Sequence, residues 1–439
     1  MLDRRCGGNP GWNVFTGAQF LGPLDVQALH RGLLEIVKRH EAARTSLRQI
    51  GGRLMQVIQP ELEFPLPILD LRGFPADQRS GESQAAIGSL YREQFDLSEA
   101  PLIRPTLLRL GDEDHQLLVI MHHTITDWVS FAILNREMAM LYQRYSRGQN
   151  DPLPKPTLQY RDYAFWERDW EDTSESGQAQ LDYWKKKLAG AAENTPLPLD
   201  HDRPAVQTFA GARHPVTLGA EGSAALIAGS RKEGVTPFVT ILAGFAVLLR
   251  SLSGCEDVVI GSPVVGRPTA ETENALGLFL NHLALRMDVS GSPRFRELLG
   301  QVNETVMSAY ANQQMPFGRI VRELRPNPNP KFTPLFQVMF FYLAMPPIQP
   351  LPGLDWRNIE AYGGTSRYDL LLSVWEKPEG ISGFLEYNTD LFAHQTAAGM
   401  SAALERILTA AAGDFDLRVG QLAAIAVREF DSAQNAARI

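Results

Sequence analysis

The sequence predicts an α/β (α+β) protein of two lobes, each mixing helices with strands. Three observations carry this. At 439 residues the chain is longer than the size at which one hydrophobic core stops growing. Helical spacing and strand alternation recur in both halves, with no fixed-period repeat to signal a solenoid or propeller. Between the halves, residues 148–157 carry three prolines and a glycine, and 171–178 (EDTSESGQ) are polar and without pattern. A boundary there predicts lobes of 1–174 and 175–439.

In chain order, residues 13–21 (NVFTGAQFL) are β-prone and stop at Gly22-Pro23. Asp25 is placed to accept from the free N–H groups of a first helical turn. Val26, Leu29, Leu33, Ile36 and Val37 then fall at helical spacing, and that helix runs out at Arg39-His40-Glu41. A hairpin is expected near Gly52 and Arg53. Thr106 to Leu110 and Gln116 to Met121 read as two strands around the turn 111–114, the second ending in His122-His123. Phe131, Leu134, Met138, Leu141 and Tyr145 resume the helical spacing. The second lobe offers an apolar helix over about 236–251, a strand Asp257 to Ile260, a segment 276–287 and a Pro/Asn-rich loop 325–334. Strands at 335–343, 370–376 and 381–388 and a final helix over 395–412 complete it.

The formal net charge is -8 and there is no long basic run, so a surface that tracks nucleic-acid phosphates is not expected. Cys6 and Cys255 are the only cysteines. They sit far apart without histidines at ligand spacing, which argues against a disulfide framework or a zinc site and suits a reducing cytoplasm. Val235 to Leu249 is shorter than the ~20 residues of a membrane span. No basic-then-apolar leader opens the sequence. A cytoplasmic protein without membrane or nucleic-acid partners is the expectation.

The chemistry concentrates in His122-His123-Thr124-Ile125-Thr126-Asp127. Along a strand, consecutive side chains point to opposite faces, so one imidazole can face a cavity while the other packs inside. Neutral imidazole accepts or orients a proton near pH 7. No cysteine is nearby and no GxSxG elbow occurs, so direct transfer between two bound substrates is simpler than a covalent acyl-enzyme. The plainer reading of a histidine at a strand end is a hydrogen-bonded structural residue. Metal binding is disfavoured, because the spacing lacks the HExxH register and no third ligand presents itself. Asp127 can hold the loop by pairing with an arginine or by accepting backbone N–H bonds.

Further motifs recur in order: Arg39-His40-Glu41-Ala42-Ala43-Arg44-Thr45; Phe95-Asp96-Leu97-Ser98 with Pro101-Leu102-Ile103-Arg104; and Tyr160 to Arg168 (YRDYAFWER). Ile260 to Arg267 (IGSPVVGR), Gly277-Leu278-Phe279-Leu280-Asn281, Pro316 to Leu324 (PFGRIVREL) and Pro334 to Phe340 (PLFQVMF) follow. Together with the HHxxxD segment, this series resembles the condensation domains of nonribosomal peptide synthetases over nearly the whole chain. The resemblance implies two chloramphenicol-acetyltransferase-like lobes forming a V around a central tunnel. It implies a transfer in which an amine on one carrier protein attacks an acyl or peptidyl thioester on another, at His123, with His122 and Asp127 completing the catalytic motif. Either Arg44 or Arg267 would then pair with Asp127, making it structural. Trp128, Asn281 and Ser366 are the expected substrate-binding residues. No cofactor or metal is bound directly. Phosphopantetheine arrives on the donor and acceptor peptidyl carrier proteins, and adjacent synthetase modules are the other expected partners.

The sequence departs from the family pattern in two places. Trp128 stands where a glycine usually follows the aspartate, either by replacement or because the glycine is missing before a Trp-Ser. Either route removes a residue able to take positive φ or to let a substrate approach the backbone. The opening Met1-Leu2-Asp3 resembles the residues just beyond the family's usual first motif. Two other functions compete: a docking platform that no longer condenses, and a free-standing or ester-forming acyltransferase of the same fold.

Overall fold

The computed structural model describes residues 10–325, 327, 329, 331–343, 354–359 and 362–436. Met1-Leu2-Asp3, Cys6 and part of the loop 325–334 lie outside them. The chain divides into two compact units. One comprises Met1–Trp170, Val265–Leu280 and Pro346–Gly363, and the other Glu171–Val264, Asn281–Met345 and Gly364–Ile439.

The first unit is built on β1 (Asn13–Leu21), which runs antiparallel to β6 (Asp114–His122) from Asn13↔His122 to Leu21↔Asp114. β5 (Ile103–Arg109) pairs with the other edge of β6, and β4 (Ile68–Asp70) lies parallel to β5. β11 (Asp355–Asn358) closes the far side by pairing with β1. β2 (Thr45–Ile50) and β3 (Arg53–Ile58) form a separate hairpin, turned by Gly51 and Gly52, both at positive φ. Helix α1 (Val26–Arg39) starts at Asp25, whose side chain accepts from the Ala28 N–H as its residue type predicts. Leu29, Leu33, Ile36 and Val37 are buried along one face. Gly32 on the same helix allows close packing, since a Cβ there would sit 3.0 Å from Met138 Sδ of α3 (Trp128–Tyr145). α2 (Arg79–Arg92) and α4 (Tyr160–Thr173) complete the helices.

In the second unit, the order is β7 (Gly211–Leu218), β13 (Gly380–Asn388), β12 (Leu370–Lys377), β10 (Val338–Leu343), β8 (Asp257–Val264) and β9 (Asn281–Asp288). β10 runs parallel to both β8 and β12; the remaining pairs are antiparallel. Its helices include α6 (Ala220–Lys232), α8 (Phe295–Ala311) and α9 (Phe317–Leu324), and the core helix is α7 (Pro237–Ser253), buried at every position from Val239 to Leu249. Thr236 caps its start and Gly254, at φ 71°, ends it. A helix apolar on all sides must be enclosed. α10 (His394–Gly413) and α11 (Val419–Ala436) pack against it, the former closely enough that a Cβ on Gly244 would meet Leu408 at 2.6 Å.

Three expectations change. Residues 171–178, read as patternless, are the end of α4 and the start of α5 (Glu175–Lys187), separated only by Ser174. The Ser174 Oγ accepts from the Gly177 N–H, so the polar run is a helix cap rather than a linker. The strand expected from 335 begins at Val338, because Leu335 takes φ 72°. α11 follows the helix expected to be final. Among the described residues, no single helix is long and apolar enough to cross a membrane.

Candidate active site

The motif occupies a strand–turn–helix corner. β6 ends at His122, a 3-10 turn spans His123–Ile125, and α3 begins at Trp128 with Asp127 as its cap. The two imidazoles differ in surroundings. His122 is buried, edge-on to Phe95 with ring centroids 6.1 Å apart. Its Nδ1 accepts from the Thr124 N–H at 3.3 Å and lies 2.9 Å from the Thr124 hydroxyl. A peptide N–H can only donate, so Nδ1 is unprotonated and the ring proton sits on Nε2. His123 is half-buried, with Nδ1 2.9 Å from the carbonyl oxygen of Thr126. A carbonyl can only accept, so Nδ1 carries the proton and Nε2 is the basic nitrogen of the neutral ring. Trp12 lies edge-on to this ring at 6.5 Å. It is held there because Asn13, the next residue, pairs with His122 across the sheet and donates to the Tyr91 and Glu93 carbonyls.

Asp127 is 2% exposed and its oxygens are saturated. Arg267 Nη2 approaches both, at 3.0 and 3.1 Å. The Ser130 N–H and hydroxyl donate to Oδ1 at 2.8 Å, and the Phe279 N–H donates to Oδ2 at 3.0 Å. Arg267 is itself buried. Its Nη1 donates to the Thr272 and Ala275 carbonyls, and its guanidinium lies 4.1 Å from the centre of the Phe279 ring. Burial pulls its pKa down and the Asp127 charge pulls it back up. The Gly277 N–H donates to Ser130 Oγ at 3.1 Å. At Gly277 any side chain would collide with Tyr160, whose ring lies 2.4 Å from an added Cβ. A carboxylate with every lone pair engaged is an anchor and has no capacity left to act as a base.

The other expected site residues lie as follows. Arg44 donates to the carbonyls of Val37, Gln59 and Lys38, so of the two candidate arginines it is Arg267 that meets Asp127. Trp128 is exposed and opens α3 with helical backbone. Phe209 and Leu335 are the only non-glycine residues at positive φ among those described, so Trp128 occupies its position without backbone strain. Asn281 and Ser366 belong to the second unit. The Asn281 amide donates to the Gln313 and Met315 carbonyls and accepts from the Phe317 N–H. Ser366 is buried and donates to the Tyr368 carbonyl. Among the described residues, no group of three His, Cys, Asp or Glu could hold a metal. Sequence reasoning did not single out Ser130 or Trp12, and it named Phe279 only as a motif residue. The spacing of Ser130 three residues after an N-cap aspartate was the available signal for it. Trp12 had none, since only strand pairing brings it to His123.

The Condensation domain family model matches residues 6–431. A linear gramicidin synthase of Brevibacillus parabrevis is 41% identical over 413 residues, which are 93% of this chain and 8% of that protein. The chain thus spans a small part of the length of such curated relatives. The X-domain from teicoplanin biosynthesis superposes with a TM-score of 0.88 at 26% identity, covering 95% of this chain and 94% of that one. The same X-domain in its complex with OxyB gives 0.86 at 26% identity, with coverage of 96% and 93%. With a family model spanning nearly all of it, the chain belongs to the condensation-domain family.

Proposed function

We propose that this chain forms an amide bond between an acyl or peptidyl thioester on a donor carrier protein and the amine of an aminoacyl thioester on an acceptor carrier protein. His123 is the residue at the reacting centre. The observation that supports this best is the half-buried His123 ring, whose Nδ1–H is tied to the Thr126 carbonyl so that Nε2 is its basic nitrogen. In the step proposed, the amine nitrogen bonds to the thioester carbonyl carbon and the C–S bond breaks. The proton lost by nitrogen passes by way of Nε2 to the departing thiolate. The thioester is already activated toward amines, so holding the two tethered groups together supplies much of the acceleration. His122 and Asp127 act as positioning residues that fix the turn carrying His123. The thioesters ride on phosphopantetheine arms of the carrier partners, and adjacent synthetase modules and a cytoplasmic setting go with this reading.

A second reading has one specific observation in its favour, the likeness to the teicoplanin X-domain, which has been captured in complex with OxyB. It is a docking platform that recruits other proteins without condensing. Donor and acceptor carriers loaded with a panel of acyl and aminoacyl groups, followed by mass spectrometry, separate the two. Product from the wild type that collapses in His123→Ala supports the condensing enzyme. No product from folded protein with verified carrier loading favours the platform.

A further inference from the structure

The second unit carries an imidazole with no assigned role. His282 is the second residue of β9, beside Asn281. The two neighbours use their side chains in opposite ways. The Asn281 amide is spent inside the protein on Gln313, Met315 and Phe317. Its bond from the Phe317 N–H brings that ring edge-on to His282, with centroids 5.9 Å apart. Phe336 forms the adjoining wall at 6.4 Å from His282 and packs in turn on Phe317 and Tyr368. Sheet geometry makes room for this wall. Residues 282 and 284 share a face of β9, and Ala284 pairs with Gly261 of β8, where an added Cβ would lie 2.3 Å from the Phe336 ring. Glycine at 261 is what lets that ring lie against the sheet beside His282.

The imidazole inside this aromatic recess is half-buried, and among the described residues its ring nitrogens have no hydrogen-bond partner. Buried polar groups are normally satisfied, and a partly exposed one bounded by apolar walls is a typical orienting group of a small-molecule site. We infer that His282, walled by Phe317 and Phe336, binds an uncharged hydrogen-bonding group, an amide or hydroxyl, of a pantetheine-tethered acyl or aminoacyl substrate. The ring is suited to an uncharged group because it stays neutral. Burial, reinforced by the positive charge of Arg367, pulls its pKa down to about 4. It therefore offers one donor and one acceptor at neutral pH. The identity of the ligand rests on the condensation reading above.

The test uses acyl-pantetheine and aminoacyl-pantetheine in which an amide replaces the thioester, so that binding is read without turnover. Calorimetry is run on wild type, His282→Phe, which keeps the ring shape, and His282→Gln, which keeps a donor and an acceptor. At least one analogue is expected to bind His282→Phe about tenfold more weakly, the loss expected for one hydrogen bond, and His282→Gln within about threefold of wild type. In the condensation assay, His282→Phe is expected to raise KM with little change in kcat. Equal binding of both analogues to wild type and His282→Phe, in a protein that condenses, overturns this inference alone. Failure of the wild type to bind either analogue overturns it together with the condensation reading.

Discussion

The two ends of one short motif differ in almost every physical respect. At His123 the ring is half-buried and its Nδ1–H is tied to the Thr126 carbonyl, which makes Nε2 the basic nitrogen. Four residues on, Asp127 is sealed at 2% exposure under donors from Arg267, Ser130 and Phe279. Titratable groups in one hexapeptide thus take opposite tasks. The aspartate spends its whole hydrogen-bonding capacity on pinning α3 to a segment 140 residues away. The histidine has its Nδ1 held by the Thr126 carbonyl and its ring edge-on to Trp12. What separates the anchor from the candidate reacting group here is burial and charge pairing, which residue type alone does not reveal.

The sharpest way to break the comparison is at the anchor. Asp127→Ala leaves Arg267 buried and uncompensated, and is expected to cost about 3–5 kcal/mol of stability, measured as a fall in Tm and in the denaturant midpoint. The double variant Asp127→Leu with Arg267→Met is expected to recover much of that loss, because removing both charges removes the desolvation cost. If the double variant is no more stable than either single one, the pair is not what holds the corner.

A smaller effect is expected further along the same helix. Burial raises the pKa of Glu137, but hydrogen bonds from His40 and Arg39 outweigh it and hold the carboxyl at about 2, below its ordinary 4.5. A depressed carboxylate stabilises the fold above its unfolded value and loses that contribution as pH falls toward the folded one. Stability on the order of 3 kcal/mol is therefore expected to be lost between pH 4.5 and about 2. Glu137→Gln should flatten that acid limb in denaturation curves taken across the range. An unchanged limb would mean that other carboxylates carry it.

The smallest effect is expected at Trp128. Its backbone is helical and its side chain exposed, so Trp128→Ala should shift stability by no more than about 0.5 kcal/mol. A large loss of Tm would show that the indole is a structural part of the corner.

Much of this was legible in the residues. The Asp25 cap, the buried face of α1 and the mixture of helices and strands all follow from local rules and are present. The need for an arginine opposite Asp127 was legible through the family resemblance, but the choice between Arg44 and Arg267 was not. Arg44 sits just past the C-terminal end of α1 and satisfies carbonyls there, while Arg267 reaches Asp127 only because residues 265–280 join the first unit. That joining is a tertiary event with no local signature. Trp12 beside His123 was hidden for the same reason. The polar stretch 171–178 misled because α4 and α5 are surface helices whose stabilising residues, such as Leu181 and Trp184, lie outside the window. The Ser174 cap within it was readable.

The most direct test of the division of labour is to take His123→Ala and Asp127→Ala through the same two measurements, thermal unfolding and single-turnover condensation with both carriers loaded. For His123→Ala the expected result is a Tm within a few degrees of wild type and a rate lowered about a hundredfold or more. For Asp127→Ala it is a collapse in Tm, with lost activity following lost structure. A His123→Ala protein that condenses at the wild-type rate, or that unfolds as readily as Asp127→Ala, would contradict the account.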